Sequence, residues 1–345
     1  MPKAESINRV ITLKSKADET IEIFPEVQYG TIQVMCIPTD AKINLLGDAG
    51  ELYTADGRET FTEVPVGNYV LTVSADNHKT HKENISLSAD DTVVRQITLD
   101  EGSDVPDNMV FVEGGTFQMG SNDGHDNEKP VHSVTLSDFY IGIHEVTQGE
   151  YEEVMGKNPS YFKISGVNAP VEKVSWYDVV NYCNKLSDQD GLQRCYSRKF
   201  LIFFKCDFSA NGYRLPTEAE WEFAARGGNK SKGYKYSGSN DIGSVAWYSS
   251  NSGSKTHSVG SKQANEIGIY DMNGSVYEWC WDRYKYNYSS SEQTNPKGPF
   301  MGDGRVVRGG SWSNDARDCH VTYRGYFEHS KSIVNLGFRL VRSSK

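Results

Sequence analysis

The chain has 345 residues, and its 36 Lys plus Arg stand against 46 Asp plus Glu for a net charge of -10, which repels nucleic-acid phosphates and acidic membrane surfaces alike. That length leaves room for two domains, each with its own core. No apolar run approaches the roughly 20 residues a membrane-spanning helix needs, so neither a nucleic acid partner nor a transmembrane segment is expected.

The first 18 residues, "MPKAESINRVITLKSKAD", hold no apolar core of the signal-peptide kind, and no lipid anchor is visible in them. From residue 19 to 100 the pattern becomes short alternating runs, "IQVMCI", "KINLLG", "FTEVPVGNYVLTVSA" and "TVVRQITL", separated by Asp, Gly, Asn and Pro turns. That texture predicts a small all-β domain. In "PVGNYVLTV" the Pro65 and Gly67 turn feeds Tyr69, Leu71 and Val73 onto one strand face. The element resembles PEGA-type immunoglobulin-like modules, which serve as spacers on bacterial envelope proteins. The resemblance implies an immunoglobulin-like domain and a place at the cell surface or outside the cytoplasm.

Residues 101–107 lie in a polar, acidic stretch with one proline, which suits a linker. Beyond it, residues 108–345 predict a second domain. "MVFVEGGTFQMGS" reads as a strand with glycine turns, while "TQGEYEEVMG" and "SWYDVVNYCNKLSDQDG" have helical spacing. In the latter, Trp176, Val179, Val180 and Cys183 make a core stripe with Ser175 as N-cap. In "RLPTEAEWEFAARGG", Thr217 and Glu220 form a capping box, Trp221, Ala224 and Ala225 face inward, and Gly227 stops the helix. Glu218 and Glu222 in that helix are read as solvated or capping carboxylates favoured by the helix dipole. Cys36, Cys183, Cys195, Cys206, Cys280 and Cys319 lack the close CxxC spacing of a zinc site and read as buried thiols.

Six strings, "MVFVEGGTFQMGS", "YIGIHEVTQGEY", "PVEKVSWYDVVNYCNKLS", "GYRLPTEAEWEFAARGG", "NEIGIYDMNGSVYEWCWD" and "RVVRGGSW" followed by "NLGFRLV", occur here in one order. In that order they resemble the formylglycine-generating enzyme (sulfatase-modifying factor) family. The resemblance implies an α+β, C-type lectin-like domain of the formylglycine-generating-enzyme type. The family's enzyme oxidises a substrate cysteine with copper held by two cysteines five positions apart, because soft copper(I) binds sulfur best. The second of those positions falls on Cys319 and the first on Asn314, so copper is not expected and oxidase activity reads as lost. Ser311 and Asn335 match active-site positions of the family, though both residue types also satisfy turn backbone.

The resemblance also implies a calcium loop in "YDMNGSVYEW", with Asp271, the carbonyls of Gly274 and Val276, and Glu278 as ligands. Hard oxygens in a glycine turn suit calcium, against the plainer reading that Asp271 and Glu278 cap loops. Cys280 and Cys319 fall in regions that line one face in the family, so the resemblance admits a disulfide beside the reading of two buried thiols.

Residues 312–335 break the periodicity of the strands around them. Between framing residues lie Ser313, Asn314, Asp318, His320, Thr322, Tyr323, Gly325, Tyr326, Phe327 and Asn335, small polar and aromatic types that suit a recognition surface. "YRGYF" predicts three aromatics in an exposed loop, which calls for a partner. Asn, Ser, Asp, Tyr, His, Thr, Gly and Phe are all reachable from an asparagine codon by changing its adenines. The tail thereby resembles the variable proteins of diversity-generating retroelements. That resemblance implies a monomeric, non-enzymatic protein that binds a protein or other macromolecular ligand; a copper-dependent cysteine oxidase is the alternative, and an ordinary surface loop remains the plain reading of the segment.

Overall fold

The computed structural model describes residues 27–75, 78–99, 108–199 and 203–344, so the expected N-terminal segment and linker lie outside the described residues. The chain divides into two units, Met1–Pro106 and Asp107–Lys345.

In the first unit, strands β1 (Tyr29–Ile37), β2 (Lys42–Gly47), β3 (Leu52–Asp56), β4 (Arg58–Pro65), β5 (Gly67–Ser74), β6 (His81–Leu87) and β7 (Thr92–Thr98) form two sheets, ordered β4-β1-β7 and β3-β2-β5-β6. Alternation decides the burial: β1 turns Ile32, Val34 and Cys36 inward, β2 turns Ile43 and Leu45, and β5 turns Tyr69, Leu71 and Val73. These side chains make one shared core. Strands β3 and β6, which the apolar pattern does not announce, are the two edges of their sheet; β3 alternates half-buried with exposed positions, and β6 also turns Ile85 and Leu87 into the core.

The second unit opens with β8 (Met109–Val112), β9 (Gly115–Met119), β10 (His132–Leu136) and β11 (Phe139–Gly142). Helices α1 (Gln148–Met155) and α2 (Trp176–Gln189) follow, then the hairpin β12 (Tyr196–Lys199) and β13 (Phe203–Cys206), and helices α3 (Glu218–Ala225) and α4 (Ile242–Val245). The chain closes with β14 (Tyr277–Arg283), β15 (Gln293–Thr294), β16 (Arg305–Arg308), β17 (Arg324–Phe327), β18 (Leu336–Gly337) and β19 (Val341–Ser343). Besides the hairpin, these strands make three small sheets, β19-β11-β8, β15-β10-β9 and β17-β16-β14-β18, joined by long loops. The first predicted strand is therefore two, β8 and β9, broken at the glycine pair.

Each of the three longer helices starts at a hydroxyl N-cap with a reciprocal capping box: Thr147 with Glu150, Ser175 with Asp178, and Thr217 with Glu220. Trp176, Val179, Val180 and Cys183 are all fully buried, as the stripe requires. Helix α3 is buried along its whole length. It packs against β9, β10, β14 and β16, which places its glutamates under the C-terminal tail.

Candidate functional site

The tail leaves β16 through Gly309 and Gly310, whose φ angles of 90° and 73° lie in the left-handed region. A Cβ on Gly310 would sit 2.6 Å from the Asp318 carbonyl oxygen and 2.7 Å from Cys319 Sγ, so the turn accepts no side chain. A 3-10 turn over Ala316–Cys319 follows, and then β17 pairs antiparallel with β16, setting Arg308 opposite Arg324 and Val306 opposite Tyr326.

Groups outside the candidate surface positions hold the backbone here. Arg308 donates to the carbonyls of Val321 at 2.8 Å and Thr322 at 3.4 Å. Asn273 Nδ2 donates to the Cys319 carbonyl, Trp312 N–H to Ser275, and Ser249 N–H to the Asn314 carbonyl. Arg308 is fully buried, with Nη2 2.6 Å from Glu222 and Nη1 3.1 Å from Glu218. Arg324 closes a second fork on Glu218 at 2.7 and 2.8 Å, Arg226 reaches Glu222 at 2.8 Å, and Tyr288 donates to Glu218. Burial alone would raise the Glu222 carboxyl, but Arg226 and Arg308 outweigh it and hold the group below the usual carboxylate range. Glu218 and Glu222 are thus not solvated, as the sequence suggested; they anchor a buried ion network.

Side chains of the segment vary in exposure. Ser313 and Tyr326 are exposed, and Asn314, Asp318, His320, Tyr323, Gly325, Phe327 and Asn335 are half-buried. Thr322, expected at the surface, is buried at 8% exposure, in the turn ahead of β17, and its backbone carbonyl accepts from Arg308 Nη1. The exposed "YRGYF" loop is in fact a strand. Tyr326 alone of its three aromatics is largely exposed, at 46%, and its ring stacks on Tyr284 with centroids 4.4 Å apart. Tyr323 packs edge-on to His125, and Phe327 against Tyr277 and Trp279.

Polar positions are linked. Asn335 Nδ2 donates to the hydroxyls of Ser311 and Ser313, Ser311 Oγ donates to Asn314 Oδ1, and Asn314 Nδ2 donates to the Tyr277 hydroxyl at 2.7 Å. Asp318 lies 3.4 Å from His125 Nε2, and His320 stacks edge-on to Tyr236. His125, Tyr236 and Asn273 come from distant loops and Tyr277 from the start of β14, and no local spacing in the sequence points to them. Arg308 and Arg324 did carry a signal: both are arginines set in otherwise apolar or aromatic strings. A further loop borders the surface, where Phe162 meets Trp312 edge-on at 5.3 Å. Its backbone N–H is held by Glu172 Oε1 at 2.8 Å, while Glu172 Oε2 is buried without a partner. Burial pushes the Glu172 carboxyl up to about 7.

Copper does not fit this site. Cys319 is fully buried, and burial pushes its thiol up to about 12, so it keeps its proton at neutral pH. The Asn314 amide is spent on Ser311 and Tyr277. Cys280 and Cys319 are both free and pack in separate apolar clusters, so they do not form the admitted disulfide.

The calcium positions meet a different balance. Asp271 accepts from the Gly260 N–H at 2.6 Å, and Glu278 holds Arg339 at 2.6 and 2.7 Å and the Trp221 indole at 2.8 Å. Beside them Glu145 is fully buried with neither carboxylate oxygen hydrogen-bonded. Burial, then Asp271 and Glu278, push its carboxyl well above the usual range. Arg339 is the guanidinium that faces these three acids. Carboxylates outnumber cations here, which suits calcium in donor type and charge only; Glu278 is already shared with Arg339, and among the described residues no group of three or more His, Cys, Asp or Glu is arranged to hold a metal ion.

Small sheets, three capped helices and long ordered loops around a buried Arg–Glu network define a C-type lectin-like architecture. The chain belongs to the sulfatase-modifying factor enzyme 1-like domain family, which matches residues 97–344. It is similar to Treponema denticola variable protein 1, with 38% identity, a TM-score of 0.63, and cover of 68% of this chain and 94% of that one. It is 39% identical over 272 residues to the chaperone protein LppX of Paenibacillus barcinonensis, covering 69% of this chain and 90% of LppX. The inactive C-alpha-formylglycine-generating enzyme 2 of Bos taurus is 30% identical, over 74% of this chain and 95% of its own length. With the serine/threonine-protein kinase pkn1 of Chlamydia caviae it shares 33% identity over 69% of this chain, spanning only 38% of the kinase. The resemblances to the formylglycine-generating enzyme family and to a variable protein read from the sequence hold at this level.

Replacing Arg308 by Gln leaves Glu218 and Glu222 buried with fewer cations, so we expect a loss of about 3–5 kcal/mol in urea denaturation. A loss below about 1 kcal/mol would remove the clamp from its central place. For Glu172, the folded carboxyl keeps its proton to about 7 against the ordinary glutamate value of 4.5, so stability falls as pH rises through that window. Glu172→Gln is expected to abolish this part of the decline, read as parallel thermal melts from pH 4.5 to 8.

Proposed function

We propose that the chain is a non-enzymatic recognition protein in which residues 312–335 form a diversified binding surface on the lectin-like frame. One observation carries this reading: main chain and side chains are held by different means. Buried Arg308 and Asn273 grip the carbonyls of Cys319, Val321 and Thr322, whereas most of the segment's side chains stand half-buried or exposed above them. Such a surface can exchange side chains without moving its backbone. Tyr and Phe then supply broad contact area at small entropic cost, and Ser, Asn and Asp supply adaptable hydrogen bonds. Likeness to a Treponema denticola variable protein and to an inactive enzyme of the family supports the reading.

The ligand is a protein or another macromolecule; the net charge of -10 speaks against nucleic acid. No helix among the described residues is long and apolar enough to cross a membrane. The two-sheet N-terminal unit serves as a PEGA-type, immunoglobulin-like spacer that carries a monomeric binding domain at the cell surface. The second reading, a copper-dependent cysteine oxidase, is favoured by the family alone, and Asn314 stands where that chemistry needs a thiolate.

Sequencing the 3′ end of the gene in sibling clones is expected to find substitutions gathered at the surface positions from Ser313 to Asn335 and linked by adenine changes. Uniform sequence there would overturn the diversified surface, and stoichiometric copper(I) binding with turnover of a cysteine peptide would establish the oxidase instead. Calcium at Asp271, Gly274, Val276 and Glu278 is expected to raise the melting temperature of chelator-treated protein, with the rise lost in Asp271→Asn. An equal rise in that variant would place the ion elsewhere.

A further inference from the structure

Arg283 and Arg305 are direct partners across the antiparallel ladder of β14 and β16. Like charges set opposite each other destabilise a sheet unless something lies between them. Arg214, Arg226, Arg308, Arg324 and Arg339 each face a glutamate. Among the described residues Arg283 and Arg305 face no carboxylate within ion-pair distance.

Arg305 is held in an unusual way. Only 5% exposed, it lies 3.9 Å over the Trp176 ring and 4.7 Å from that of Trp281, donates to the Trp281 carbonyl, and leaves its buried Nε without a partner. Aromatic faces hold a guanidinium without neutralising it, which leaves its donor edge for an anion. Asp282, the adjacent acid on β14, offers little compensation: burial, then Glu218, push its carboxyl up to about 8. His329, packed on Trp176 and Tyr177, is pushed down to about 4 by burial and by Arg305 and Arg283, as an uncompensated positive field requires. Arg283, Trp281, Tyr177 and His329 are half-exposed and form the rim.

We infer that Arg283, together with its cross-strand partner Arg305, which alone lies over the indoles of Trp176 and Trp281, forms a binding site for an oxyanion, the carboxylate or sulfate group of a ligand. The buried Arg305 provides the floor and the half-exposed Arg283 the gate. The site is independent of the recognition reading, although Phe327 pairs with Arg305 on the other side of β16 and brings it to the border of the tail.

Inorganic sulfate and D-glucuronate are the probes, read by tryptophan fluorescence and melting temperature, with D-glucose as the uncharged control and sodium chloride matched in ionic strength. Saturable responses to either anion, absent with glucose and weakened at least tenfold in Arg283→Gln, support the site. Sulfate alone assigns a sulfated ligand, and glucuronate alone a carboxylated one. Arg305→Gln disturbs the indole stack, so Arg283→Gln, which relieves the facing like charges, is the deciding variant, checked to melt no lower than the wild type without anion. No response in the wild type, an equal response in Arg283→Gln, or one that chloride reproduces, would overturn the inference.

Discussion

The Arg308 guanidinium, wedged between Glu218 and Glu222, is the contact on which the second unit's architecture turns. It ties the first turn of α3 to the end of β16 and, through two carbonyls, to the tail. Buried ion pairs of this kind contribute little net stability over an apolar core, because desolvation offsets most of the attraction. Their value here is geometric. A fork of fixed donors demands oxygens in fixed places, and an apolar core would let the tail slide by a residue.

A second cluster of the same chemistry lies around Glu278, Arg339 and Trp221, in the stretch where β14 begins. The two clusters share α3, since Trp221 and Glu222 are neighbours on it. Thus one short helix, buried along its length, supplies an indole to one cluster and carboxylates to the other. The tail segment leans on the second cluster as well: Asn273 and Ser275, which hold the tail backbone, lie in the loop between Asp271 and Glu278.

Much of this was legible in sequence. The capping boxes at Thr147, Ser175 and Thr217 and the core stripe from Trp176 to Cys183 follow from local spacing, and local spacing is what a sequence displays. Glu218 and Glu222 were misread for the same reason. A carboxylate in a first helical turn looks satisfied by the dipole, and its true partners, Arg308 and Arg324, lie 90 and 106 residues away. Tyr326 and Phe327 fall on a strand that irregular residue types hide, and its pairing with β16 decides which side chains face out, while Thr322 and Tyr323 lie just ahead of it. The gathering of His125, Tyr236 and Tyr277 around the tail is tertiary, and no window of sequence contains it.

Gly309 and Gly310 set a boundary of another kind. Because a side chain at Gly310 would collide with the Asp318 carbonyl and Cys319, drift at this turn would be ruinous to the fold. Glycine codons begin with two guanines. A process that rewrites only adenines therefore cannot change either residue, whatever it does a few codons downstream. The hinge of the surface would be protected by the genetic code itself, with no proofreading needed to mark where variation must stop.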